Sequence, residues 1–148
     1  MTRAWHYPVD LVRLLVDTIP RICPSKDDVL TFFRSSGVAE SDLADLRRQV
    51  DEDREAIKKH EMARRVITLL NERESNGAIY ARREIVKRVC DFEDFSACWE
   101  NDRLIALGLV EQVRKRVEKH DAFARMYRER QEERRAHQAT KERETKER

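Results

Sequence analysis

The residues able to do chemistry are abundant in this chain, but they are scattered. Cys23, Cys90 and Cys98 form an odd set, the nearest two eight positions apart, and the histidines stand at 6, 60, 120 and 137. A structural zinc site needs Cys or His pairs two to five residues apart, so that a turn or one face of a helix presents both ligands together. No CxxC or HxxxH pair exists here, which predicts no metal and no metal cofactor. A metal-dependent nuclease of the PD-(D/E)xK kind needs Glu-x-Lys beside a second acidic residue on adjoining strands, so that Mg²⁺ and a base converge on one phosphate. The only Glu-x-Lys is Glu144-Thr145-Lys146, in a polar tail with no strand pattern near it. There is no Gly-rich phosphate loop, nucleophile elbow or HExxH. The expectation is a protein with no catalytic residues, no cofactor and no small-molecule substrate.

Basic residues are the remaining candidates. Arg82-Arg83, Lys87-Arg88, Arg103 and Arg114-Lys115-Arg116 are local cationic spots that would contact phosphate, giving affinity without sequence information. The chain as a whole lacks the one-signed field of a dedicated nucleic-acid binder. Residues 1–121 carry 22 Lys/Arg against 23 Asp/Glu, and residues 122–148 carry 9 against 6. Nucleic-acid binding is therefore expected to be weak and non-specific at most.

The elements that would position these groups read as helices. Charged residues make up 41% of the 148-residue chain, with only 3 Gly and 3 Pro, which argues against the regular turns of a sheet protein. The expected fold is all-α, a multi-helix bundle with a long charged C-terminal helix or linker. A first helix starts near Pro8 and carries Leu11, Leu14, Leu15 and Ile19 on one stripe, with Pro20 and Pro24 bracketing its end. A second starts at Ser25, with Asp28 completing a capping box. It buries Val29, Leu30, Phe32 and Phe33, and stops at Gly37 as a left-handed cap. A third starts at Ser41 and places Leu43, Leu46, Val50 and Ile57 on one face. Whether it breaks around residues 51–56 or runs on is left open by the sequence, and the absence of Gly or Pro over residues 51–71 favours one long or two near-collinear helices. Asn76-Gly77 is the clearest turn signal. The organisation expected is a small bundle over 1–56, a second helical segment over 57–121 packing on it, and a charged tail over 122–148.

The stretch Val89–Val113 concentrates bulky residues. Phe92, Phe95 and Trp99 lie at i, i+3 and i+7, so a continuous helix would bury them on one face. Loss of the Trp99 ring would then cost about 3–5 kcal/mol. Leu107-Gly108-Leu109-Val110 admits two readings. It lies in a continuous helix, or it ends a winged-helix recognition helix carrying Arg103, with Arg114–Arg116 in the wing. Downstream residues keep a helical period through Val110, Val113 and Val117 and lack a hairpin turn, which favours the continuous helix.

The wording of this stretch, RREIVKRV…FEDFSACW…GLVEQVRKRV…KHDAFARM, resembles the N-terminal helical region of bacterial (Mrr-like) restriction endonucleases and antiphage defence proteins. The likeness extends over roughly residues 7–135, and Phe92, Phe95, Trp99 and Gly108 belong to its most specific words. In that family a PD-(D/E)xK nuclease domain follows, and this chain has no equivalent of its motif. The resemblance implies a non-catalytic accessory module that binds a protein partner or itself and positions an effector nuclease. An odd cysteine count without framework spacing, and apolar runs broken by charges, imply a cytoplasmic protein with no membrane span.

Overall fold

The computed structural model describes residues 6–98 and 100–147. Among these residues six α-helices and two 3-10 turns follow one another: α1 (Val9–Ile22), α2 (Lys26–Ser35), α3 (Glu40–Glu52), α4 (Lys59–Glu72), α5 (Asn76–Cys90), the turns Phe95–Ala97 and Glu100–Asp102, and α6 (Arg103–Glu147). No strand occurs among the described residues, and the fold is all-α. The chain divides into two compact units, Met1–Arg114 and Lys115–Arg148.

In the first unit α4 is the central element, packed against α1, α2, α3 and α5. It can fill that place because Met62, Ala63, Val66, Ile67 and Leu70 recur at three- and four-residue spacing and are all buried. Leu11, Leu15 and Ile19 of α1 meet it as a matching stripe and are at most 1% exposed. Leu14, on the edge of that stripe, is only half-buried. Pro20 falls within α1, which runs on to Ile22.

Local capping follows the sequence closely in α2. The Ser25 hydroxyl accepts from the Asp28 amide at 3.1 Å, and the Asp28 carboxylate accepts from the Ser25 amide at 3.1 Å. Gly37 has φ +100°, so it ends the helix in the left-handed region that side chains other than glycine's resist. A Cβ at Gly37 would also come within 2.9 Å of the Tyr80 ring.

Three boundaries differ from the sequence expectations. Residues 51–71 are not one rod: α3 ends at Glu52, and Asp53 takes extended backbone angles. The Asp53 carboxylate accepts from the Glu55 amide at 3.0 Å, and its carbonyl accepts from the Ala56 amide at 3.0 Å. This local turn competes with the helix, as short acidic side chains do. Ile57 is buried, but from the connection rather than from a helical face. Helix α3 starts at Glu40, one residue ahead of Ser41, without a side-chain cap. Asn76-Gly77 is not a turn but the first two residues of α5, because Ser75 caps that helix by accepting from the Ala78 amide at 3.2 Å.

The fourth difference concerns the aromatic stretch. Between Cys90 and Arg103 the chain leaves the α-helix, so Phe92 and Phe95 do not share a helical face. Both are half-buried, and their rings meet edge to face with centroids 5.1 Å apart. Trp99 lies outside the described residues. Leu107–Val110 lies within α6, so the winged-helix alternative has no wing strand among the described residues.

Candidate functional site

The basic residues singled out from sequence divide into two groups with different work. Arg82 projects inward from α5 and is fully buried. Its Nη1 donates to the carbonyls of Leu70 and, at 2.7 Å, of Arg73, closing the C-terminal end of α4. That end carries the negative pole of the helix and its unsatisfied carbonyls, so a cation there is stabilised where it would otherwise be costly to bury. Burial pulls the Arg82 pKa down from its usual value. The carbonyl of Arg82 in turn accepts from the Tyr7 hydroxyl at 2.6 Å. Arg82 is therefore not a phosphate contact, and its charge is spent inside the fold.

Arg114 behaves the same way at the end of α5. Its Nε donates to the Cys90 carbonyl at 2.7 Å and its Nη2 to the Phe92 carbonyl at 2.9 Å, while Nη1 pairs with Glu111 at 2.5 Å. Lys59 serves α1: its ammonium donates to the carbonyls of Pro20 at 2.8 Å and Cys23 at 2.9 Å. Three helix C-termini are thus each held by a cation from a later element. No local spacing announces these pairings, since partners lie between 9 and 39 residues apart.

The second group stays on the surface. Arg83, Lys87 and Arg88 are exposed on α5, and Arg88 pairs with Glu84 at 3.2 Å. Arg103 is exposed at the start of α6. Lys115, exposed, and Arg116, half-buried, belong to the second unit.

The cysteines are reduced thiols. Cys23 and Cys98 are buried and Cys90 is half-buried. Burial pushes the Cys23 thiol up to about 12 and raises that of Cys98. A protonated, desolvated thiol is a poor nucleophile and a poor metal ligand. Among the described residues no three His, Cys, Asp or Glu side chains gather in a group that would hold a metal. The hollow on the outer face of α4 is shallow and lined by Glu61, Arg64, Arg65, Thr68, Leu69 and Glu72. Within it Glu61 pairs with both arginines, and the Arg64 hydrogen bond holds its carboxyl below the usual range.

What stands out instead is apolar. In the first turns of α6, Ala106, Val110 and Val113 turn inward and are fully buried. On the other side Leu104 is 83% exposed, Ile105 48% and Leu107 44%. Gly108 is exposed among them, and a Cβ built there meets nothing within 4 Å. The sequence signal was present in LIALGLV, where aliphatic residues surround the helix rather than forming one stripe. Such a pattern asks for more than one covered face.

Comparison of the chain with protein-family models, with curated proteins and with solved structures finds no match to any of them. Among the described residues no helix is long and apolar enough to cross a membrane.

Proposed function

We propose that the chain is a non-catalytic helical association module, an accessory part of a restriction-endonuclease-like antiphage defence protein that positions an effector nuclease. The observation that carries the association is the aliphatic patch of Leu104, Ile105 and Leu107, left uncovered on a chain whose surface is otherwise densely charged. Apolar side chains grouped on one exposed face commonly mark a contact surface. The positioning role is supported by α6, which runs 45 residues to Glu147 with every described side chain from 132 to 143 exposed. An exposed helix rich in Glu and Arg is a semi-rigid spacer. The nuclease as effector rests on the resemblance carried by Phe92-Glu93-Asp94-Phe95-Ser96, Cys98-Trp99 and Gly108-Leu109-Val110.

Chemical cross-linking of the purified protein, comparing wild type with Leu104→Glu, tests the association. Cross-linked species that fade in the variant support it, and a wild type that forms none, alone or with a nuclease from the same defence system, overturns it. Incubation with plasmid and Mg²⁺ or Mn²⁺ tests the non-catalytic assignment; intact plasmid is expected and nicking contradicts it.

A second reading, weak phosphate binding, is favoured by Arg83 and Lys87, exposed one helical turn apart on α5. It predicts a mobility shift at low salt that Arg83→Ala with Lys87→Ala abolishes. No shift at low salt ends it.

A further inference from the structure

The patch on α6 has a shape that fits itself. With 3.6 residues per turn, Leu104 and Gly108 stand one above the other, a protruding side chain and a notch on the same line of the helix. Leu104 is the most exposed of the large hydrophobic residues described, and Gly108 has open space where a side chain would be. An interior glycine weakens a helix relative to alanine, yet nothing among the described residues of the first unit requires its small size. Close approach of a second helix would require it, as small residues allow backbones to pack tightly.

We propose that this face pairs with a second copy of the same chain, the two α6 helices crossing antiparallel about a two-fold axis level with Ala106. This rests on the association reading above and names its partner. The two-fold operation seats Leu104 of each copy over Gly108 of the other. It brings Ile105 against Ile105 on one flank and Leu107 against Leu107 on the other. An isologous contact of this kind uses one patch twice, so that a knob and a hole four residues apart are sufficient for self-recognition. The rim carries both signs: Arg103 and Glu111 are exposed at opposite ends of the patch, and Glu111, paired with Arg114 of its own chain at 2.5 Å, is placed to share its carboxylate with Arg103 across the axis. Buried Ala106, Val110 and Val113 hold the helix in place from behind, so the surface is presented by a fixed element. A contact of a few helical turns is small, which places the dimer in the weak, exchanging class.

The test uses the whole chain and two substitutions with opposite effects on folding. Gly108→Ala is expected to raise the unfolding temperature, because alanine favours helix, and to weaken dimerisation about tenfold or more by filling the notch. Leu104→Glu is expected to leave helicity and unfolding unchanged while giving monomer. In a Cys90→Ser background, Ile105→Cys is expected to cross-link to its own copy under mild oxidation far faster than Leu104→Cys. A dimer that survives both Gly108→Ala and Leu104→Glu overturns this surface while leaving association through another face standing. A wild type that is monomeric at all concentrations, yet binds a different protein through Leu104, overturns the self-pair alone. A monomer that binds no partner overturns both.

Discussion

The guanidinium of Arg114 reaches back 24 residues to donate its Nε–H to the carbonyl of Cys90 at 2.7 Å. With the Phe92 carbonyl held by the same side chain, this ties the start of α6 to the end of α5 across the irregular segment between them. Arg114→Ala is expected to destabilise the protein by about 1–3 kcal/mol, the range for charged hydrogen bonds that leave partly buried carbonyls unmet. Arg114→Lys should recover only part of this, since an ammonium lacks the fork. Urea unfolding followed by circular dichroism reads both. A phosphate-contact role for Arg114 would instead give variants of wild-type stability.

Arg82 makes a stronger case, because it is buried rather than half-exposed. Arg82→Ala removes the side-chain donor from the carbonyls of Leu70 and Arg73, leaving Leu70 only the Arg73 amide at 3.3 Å, and opens a cavity beneath α5. A loss of about 3–5 kcal/mol is expected, large against the ordinary stability of a domain this size. Arg83→Ala, its exposed neighbour, should change stability by less than about 0.5 kcal/mol. Equal effects at the two positions would refute the placement of Arg82 inside.

That pair of neighbours also shows where sequence legibility ends. Periodicity identified most of the buried stripes of α1, α2 and α3, Leu14 and Phe32 being only half-buried, and capping chemistry identified Ser25, Asp28 and Gly37, because those signals are local. Arg82 and Arg83 look alike in sequence. Only the rotation of α5 about its axis, set by Ala78, Ala81, Ile85 and Val89 packing inward, sends one to the core and the other to solvent. The break at Asp53 stays open in the sequence because an acidic side chain, not Gly or Pro, makes the turn. The exposed face of Leu104, Ile105 and Leu107 was hidden among residues that a single continuous core would also have used.

Gly37→Ala is expected to be costly for two separable reasons. The positive φ disfavours any side chain by about 1 kcal/mol, and the new methyl would push on the Tyr80 ring 2.9 Å away. Tyr80 is 60% exposed, so its ring can give way. Adding Tyr80→Ala should therefore relieve part of the loss and leave the backbone part. Thermal unfolding of the two single variants and the double variant checks this; strict additivity would show that the ring does not press on position 37.

The thiols give a pH and reactivity signature. Cys23 rises from 9.0 unfolded to about 12 folded, because burial disfavours the thiolate. A raised pKa means the folded state holds its proton more tightly. This contribution to stability is complete below pH 9 and is lost as pH climbs from about 9 to about 12. At neutral pH, titration with a thiol reagent should label Cys90 readily and Cys23 and Cys98 only after denaturation. Rapid labelling of all three in the native protein would contradict their burial.

On the self-pairing proposal, the aliphatic face of α6 is covered by a second copy of the chain. Sedimentation equilibrium of the purified chain over a wide concentration range tests it most directly, with Leu104→Glu run alongside. The predicted result is a mass that climbs from 17.7 kDa toward twice that value in the wild type and stays at the monomer value in the variant. Superimposable curves for the two proteins, with or without association, would contradict self-pairing through this face.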